Sequence, residues 1–420
     1  MRSLFILAFF CLVGWSYSQK CPARYLRFTP VHSFCLPPNP TCEIKRTGVS
    51  EVDKKLILKL HNQFRSKVAM GNEHGSLGGS LPQAADMLQM EWDDELAAVA
   101  QKWTENCKWG HDCKECRAVG NFAVGQNLVI QDWSPCYGYG CKEPNNDPQW
   151  TQALTALYNE VNDYNVNWLG SYEKHDEPKK TGHLTQLIWS RSWRVGCGYS
   201  YYKQAGGYHL YYACNYGPGG NIIGEPVYKT GRPCSACPTN TQCSTVGRGA
   251  NSFAGLCKMT DPNTTPAYPR SSRSIFLCDF TSTDSDCEAE GFGQGRWSVV
   301  RSVGGNYKSI VLNGGQSTSF TLTTPITPNA DAFCLAITFR KGPLDATYRD
   351  ESIFKADFKM DYASVNPIQL QLDTTNFMQY KLNLRWRIKT KVGFTFSVPR
   401  GAGKHVLDIR RIEAFDGMCN

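Results

Sequence analysis

Beyond its N-terminal segment the chain has no apolar run of ~18 residues, so nothing downstream of that segment reads as a membrane-spanning helix. Charge is sparse as well: Asp, Glu, Lys and Arg make up 20% of the 420 residues, too few for a coiled coil. The 45 basic and 37 acidic residues leave a net charge of +8, without the density of a dedicated nucleic-acid binder. Two hydrolase signatures are missing, the Gly-x-Ser-x-Gly elbow and the His-Glu-x-x-His helix, which removes the simplest routes to an activated serine or a metal-bound water. What is present points to a globular protein. Hydrophobic residues are 41% of the chain and aromatic residues 12%, too many for disorder, and the length corresponds to about two to four domains. The 19 cysteines belong to an oxidising compartment, where disulfides form.

The N-terminus carries Arg2, an apolar run from Leu4 to Trp15, and small residues at Ser16 and Ser18. This pattern predicts a signal peptide over 1–18 and a secreted, extracellular protein. Cys11 leaves with that segment, and the remaining 18 cysteines are an even set, which argues for complete pairing and against a free catalytic thiol. They fall into groups of ten (Cys21 to Cys214), four (Cys234 to Cys257) and four (Cys278 to Cys419), as three separately closed modules would give. Residues 259–274 hold no cysteine and are rich in Pro and polar residues, the composition of an extended linker. The linker contains the sequon Asn263-Thr264-Thr265, a glycosylation site at Asn263, and an Arg270-x-x-Arg273 spacing that basic-residue-specific processing proteases read.

The fold class expected is α+β followed by all-β. Ser50 stands as an N-cap three residues before Asp53, ahead of Ile57, Leu60, Phe64 and Val68 at helical spacing. A second helix is predicted from Trp92 to Cys107 and a third from Trp150 to Tyr164. Residues 195–201 and 209–215 are aromatic and β-prone around Gly206-Gly207, a hairpin pattern. From Ile275 onward short alternating runs are divided by Gly, Pro and Asn, the pattern of a β-sandwich. Within it, apolar residues alternate with Arg385, Arg387, Lys389 and Lys391 over Leu382–Val392, predicting one strand with four cations on a face suited to anionic glycans or lipid headgroups.

One charged residue is out of place. Glu160 borders the apolar stripe of the third helix, and a carboxylate turned inward needs a cation, hydrogen-bond donors or a metal. His111 and His183 are the candidate partners. Two imidazoles and a carboxylate can bind zinc with an open position for water; equally, the Glu can accept hydrogen bonds from the imidazoles or lie at a solvated helix edge.

The segment from Gly182-His183 to Trp189, and that from Tyr211 to Asn215-Tyr216 and Asn221, resemble the paired signatures of the CAP superfamily. That superfamily joins cysteine-rich secretory proteins, antigen 5 venom allergens and plant pathogenesis-related proteins. His61-Asn62-Gln63-Phe64-Arg65 resembles its third signature and Gly125-Gln126-Asn127-Leu128 its fourth. The resemblance spans residues 19–230 and implies an α-β-α sandwich whose cleft floor carries His111, Gln126, Glu160 and His183. Gln126 stands where many members have Glu; a carboxamide is a poor zinc ligand, so the implied metal is at most a weakly held divalent cation on His111 and His183, with no required cofactor. The implied role is a non-enzymatic venom or salivary effector that binds an extracellular protein, lipid or glycan. A sterol or fatty-acid carrier and a weak peptidase using the His and Glu cleft are the alternatives.

The same resemblance implies disulfides Cys42–Cys107 and Cys197–Cys214, leaving Cys21, Cys35, Cys113, Cys116, Cys136 and Cys141 with fifteen pairings, Cys136–Cys141 closing locally. Residues 231–258 resemble the small disulfide-rich hinge of cysteine-rich secretory proteins. Residues 275–420 resemble a MAM domain, which implies Cys278–Cys287 and Cys334–Cys419.

Overall fold

The first long helix starts at the cap that the sequence places there. In the computed structural model, which describes residues 21–419 apart from 38, 121, 134–144, 175–179, 245–252, 262–263, 267–273, 281–284, 302–305, 346, 362 and 372–376, a one-turn helix α1 (Ala23–Leu26) and strand β1 (Glu43–Thr47) precede α2 (Glu51–Ala69). The Ser50 hydroxyl accepts from the Asp53 amide and the Asp53 carboxylate accepts from the Ser50 amide, a reciprocal capping box. Two helices are shorter than their periodicity predicts. Trp92 lies in strand β2 (Glu91–Trp92), paired with Val195, so α3 (Asp94–Thr104) starts at the Asp93 cap. Helix α4 (Trp150–Tyr158) gives way to a 3₁₀ turn over Asn159–Asp163, so Glu160 sits on that turn and not on an α-helical face.

Strands β3 (Gly125–Trp133), β4 (Arg194–Gln204) and β5 (Gly207–Gly217) complete a sheet in the order β1-β4-β5-β3, with β2 parallel to β4. The β4–β5 hairpin turns one residue earlier than Gly206-Gly207, at Ala205 (φ 49°) and Gly206 (φ 82°), because Gln204 pairs with Gly207. Alternation along β4 and β5 sends Val195, Tyr199, Tyr201, Leu210 and Tyr212 to the core shared with α2, α4 and the short α5 (Gly182–Leu187). The other face takes α3, whose backbone lies so close that a Cβ at Gly196 or Gly198 would come within 2.4 Å of it. The result is three layers: helices, sheet, helix.

Disulfides join Cys42 to Cys107, Cys21 to Cys35, Cys113 to Cys116, and Cys197 to Cys214 directly across the hairpin. Cys136 and Cys141 lie outside the described residues, as do Asn263, Arg270 and Arg273. The hinge closes through Cys234–Cys243 and Cys237–Cys257, with strands β6 (Thr241–Cys243) and β7 (Cys257–Met259) paired. Too short for its own core, it borrows one: Leu256 enters the first domain's core, and Cys257 exchanges backbone hydrogen bonds with Met87 and Gln89.

The remaining strands are β8 (Ser274–Cys278), β9 (Ala289–Gly293), β10 (Ser298–Val300), β11 (Tyr307–Leu312), β12 (Ser317–Leu322), β13 (Phe333–Pro343), β14 (Ile353–Met360), β15 (Ser364–Gln369), β16 (Met378–Leu384), β17 (Thr390–Ser397) and β18 (His405–Asp416). They form an antiparallel sandwich: one sheet ordered β10-β11-β18-β13-β16 with β8 on β18, facing β15-β14-β17-β12-β9. Phe320, Phe339, Phe354, Phe394 and Phe396 fill the space between them. Cys278 bonds Cys287, and Cys334 bonds Cys419.

The single strand expected over Leu382–Val392 is not formed. β16 ends at Leu384 in one sheet and β17 begins at Thr390 in the other. Arg385–Lys389 is the crossing between them, held by Trp386, whose ring packs against Phe333 and Phe358 and whose indole donates to the Thr390 hydroxyl at 2.9 Å. The apolar alternation there reflects a turn anchored in the core, and the four cations do not share one strand face.

The sandwich meets the first domain through buried charge. Asp408 accepts from Arg340 at 2.6 Å and from Arg27 at 3.2 Å, and Arg340 also donates to the Gly120 carbonyl. No helix among the described residues is long and apolar enough to cross a membrane.

Candidate functional site: the histidine cleft

Three polar residues of α2 build the floor beneath the cleft. Arg65 is fully buried and donates to the carbonyls of Leu88, Leu187, Trp189, Ser190 and Ser192 at 2.8–3.1 Å, spending its planar fork on the loop that leaves α5. Asn62 exchanges two hydrogen bonds with the backbone of Met90, at 2.8 and 3.0 Å. His61 donates from Nδ1 to the Ile57 carbonyl at 2.8 Å and accepts at Nε2 from the Tyr216 hydroxyl at 3.0 Å. Burial drives its pKa down to about 4, so the ring is neutral, as that pair of bonds requires. Tyr216 in turn accepts from Asn127 at 3.4 Å, and Asn127 also donates to the His183 carbonyl at 3.0 Å. Trp189 is buried, edge-on to Tyr172. His61, Asn62, Arg65, Asn127, Trp189 and Tyr216 are therefore scaffold for the cleft.

The cleft itself brings together His111, Gln126, Glu160 and His183. Gln126, second residue of β3, lies opposite Asn215 on β5 and donates to its side-chain oxygen at 3.1 Å. That fixes the amide so that its own oxygen accepts from His111 Nδ1 at 2.8 Å. On the other side, Glu160 accepts from His183 Nδ1 at 2.6 Å through one oxygen, and from the amides of His183 and Leu184 at 2.9 and 3.0 Å through the other. The carboxylate thereby caps α5, which starts without a side-chain cap of its own. Gly125 is required at its position because a Cβ would lie 2.0 Å from the Gln186 side-chain oxygen, which binds the Gly220 amide.

Both imidazoles thus have Nδ1 tied and Nε2 turned to other uses. Crowding by the surrounding protein outweighs the Gln126 bond and holds His111 below the ordinary imidazole range, with Arg117 and His183 pushing the same way. The chemistry on offer is two imidazole Nε2 atoms beside a neutral carboxamide and a carboxylate already accepting three N–H groups. This fits a loosely held divalent cation and not a three-ligand zinc centre. Among the described residues the one group of three Cys, His, Asp or Glu ligand atoms within 4.8 Å is Cys234, Cys237 and Cys257, whose sulfurs are in disulfides. Two residues of the signatures turn out to support the cleft without having been singled out for it: Gln186, and Asn221, which accepts from Thr185 at 2.8 Å and donates to the Gly182 carbonyl at 2.8 Å. Nothing in local periodicity marks either.

A separate groove of about 720 Å³ runs beside the start of α4, lined by apolar residues (Leu56, Pro148, Trp150) as well as polar ones (Asn145, Asp147, Gln149).

Residues 58–216 match the model of the cysteine-rich secretory protein family, CAP. A protein described as CRISP/Allergen/PR-1 from Trittame loki is 39% identical over 405 residues, 95% of each chain. A venom allergen 5 from Tityus serrulatus is 37% identical over 423 residues, covering 99% of this chain and 98% of its own. Among solved structures, Na-ASP-1 is 28% identical with a TM-score of 0.40 over 51% of this chain and 48% of its own. NaASP2 with Zn2+ is 28% identical with a TM-score of 0.39 over 50% and 97%. The helix–sheet–helix half carries the family signatures and the relatives match nearly end to end: this chain belongs to the cysteine-rich secretory protein family and is a venom allergen-like protein.

Proposed function

We propose that the protein is a secreted venom- or saliva-type effector that acts by binding an extracellular target and carries out no reaction of its own. The observation that carries this reading is the use of the cleft's polar groups on one another. Glu160 caps α5 and orients His183, Gln126 bridges His111 and Asn215, and Arg65 and His61 are spent on the floor, so the groups a hydrolase would need as base and electrostatic stabiliser already serve as structure. The two Nε2 atoms are left to recognise a hydrogen-bond donor or a weakly held zinc ion. In this proposal the β-sandwich is a MAM-like recognition module, a reading supported by its first and last strands pairing and by its two disulfides. The N-terminal signal pattern, the disulfides and the sequon at Asn263 support secretion and glycosylation.

The test is a set of assays on the purified full chain. The expected outcomes are weak zinc binding by calorimetry that is lost in a His111→Ala, His183→Ala double variant, and no cleavage across a peptide panel with or without zinc. Cleavage abolished by His183→Ala would overturn the reading in favour of a peptidase. Stoichiometric retention of sterol or fatty acid would favour a carrier.

A further inference from the structure

The outer face of the sheet β15-β14-β17-β12-β9 has a charge arrangement that costs the fold stability. Lys359 on β14 stands directly across from Lys391 on β17, and like charges in that register repel. Lys355 lies on the same face four residues back along β14, and Lys389 is the exposed residue two before Lys391 in the crossing turn. Among the described residues none of these four lysines has an ion-pair partner. The carboxylate set among them, Asp357, accepts from the Thr395 hydroxyl at 3.0 Å; Glu290 is two strands from Lys391, opposite Thr321, and the exposed Asp361 follows Lys359 by two residues just past the end of β14. Between the lysines and that edge the floor is low and hydroxyl-rich: Ser319, Thr321 and Thr395 surround Gly393, where a Cβ would sit 3.0 Å from the Thr321 hydroxyl oxygen. At the far edge Phe292 is 67% exposed.

From this we infer that the outer face of the second sheet is a binding site for an acidic polysaccharide. Sulfate or carboxylate groups would bridge Lys359 and Lys391 and remove their repulsion, the serine and threonine hydroxyls would meet sugar hydroxyls across the bare floor, and Phe292 would cover a sugar ring. Between the lysines and Phe292 the floor is Ser319, Thr321, Gly393 and Thr395, hydroxyls and bare backbone with no apolar side chain to bury in a bilayer, which favours a polysaccharide over a lipid surface even though Ile388 beside Lys389 is also exposed. The site lies in the β-sandwich and does not depend on the histidine cleft.

Heparin is the probe. A variant with Lys355, Lys359 and Lys391 changed to Gln should bind heparin about 10-fold more weakly and show a shallower salt dependence. A control with the exposed Lys55, Lys59 and Lys108 of the first domain changed to Gln loses the same charge and should bind as the unaltered chain does. Lys359→Gln alone should weaken heparin binding while leaving the unfolding midpoint unchanged or higher, since it relieves the repulsion. Equal weakening in the control, unchanged binding by the first variant, binding to vesicles rich in anionic lipid but not to heparin, or a lowered midpoint for Lys359→Gln would each overturn the inference.

Discussion

Replacing Gln126 by Glu tests the electrostatics of the cleft most directly. It sets a carboxylate oxygen where the amide oxygen now lies 2.8 Å from His111 Nδ1, and it turns the N–H that Asn215 accepts at 3.1 Å into a second acceptor. A unit charge ~4 Å from the imidazolium is worth about 4 kcal/mol at an effective dielectric constant of 20, or about 3 pK units. His111 is exposed, so screening reduces this to roughly 1–2 units. Its pKa should rise from below the ordinary imidazole range. A histidine whose folded pKa is raised contributes stability that is complete below the unfolded value and is lost as pH climbs through the folded one. The variant should therefore keep that contribution at low pH and lose it as pH climbs through the raised folded value. Against this stands the clash with Asn215, about 1–3 kcal/mol unless that amide rotates and gives up its bond to the Leu96 carbonyl. The added anionic oxygen should tighten zinc by about 10- to 100-fold. Histidine titration by NMR and zinc calorimetry read both effects. A His111 pKa that stays put or falls, with zinc affinity unchanged, would refute the placement of the Gln126 oxygen on His111.

Three further outcomes are expected. Arg65→Lys leaves at least two of the five buried carbonyls without a donor, because an ammonium has three N–H bonds; at about 1–3 kcal/mol each, chemical denaturation should show a loss of roughly 2–6 kcal/mol. With its folded pKa depressed to about 4, His61 should cost the protein stability as pH falls from ~6.5 toward that value, by about 3 kcal/mol. Urea midpoints should drop over that window in the unaltered chain and much less in His61→Gln. Asp408→Asn leaves Arg27 and Arg340 without their carboxylate; breaking a buried pair costs about 3–5 kcal/mol, and calorimetry should show the sandwich unfolding earlier than the first domain.

Much of the local structure was legible in the sequence because its causes are local. Ser50 and Asp53 cap α2 by contacts within four residues, and period-two alternation marks β4 and β5. Gln126 and His183 could be named because they lie in family signatures, and Glu160 because a charge borders its apolar stripe, although their spacing in the chain says nothing of which atoms meet. Glu160 shows the limit. Its apolar neighbours kept a helical period while the backbone tightened into a 3₁₀ turn, which set its carboxylate on the amides of His183 and Leu184. Over Leu382–Val392 an alternating run concealed a passage between two sheets, since a residue packed in a turn and one packed in a strand can leave the same pattern.

The sequence by itself determined where α2 is capped and which faces of the β4–β5 hairpin are apolar, and its family resemblance named the four side chains of the cleft. Only the tertiary structure decided that Glu160 is a cap, that Arg65 holds five carbonyls, that Asp408 joins the two halves, and that Lys359 faces Lys391. Capping and alternation depend on residues within a turn of each other. These four pairings join groups 23 to 381 positions apart, or 32 apart across a sheet, and arise only when the core brings their backbones together.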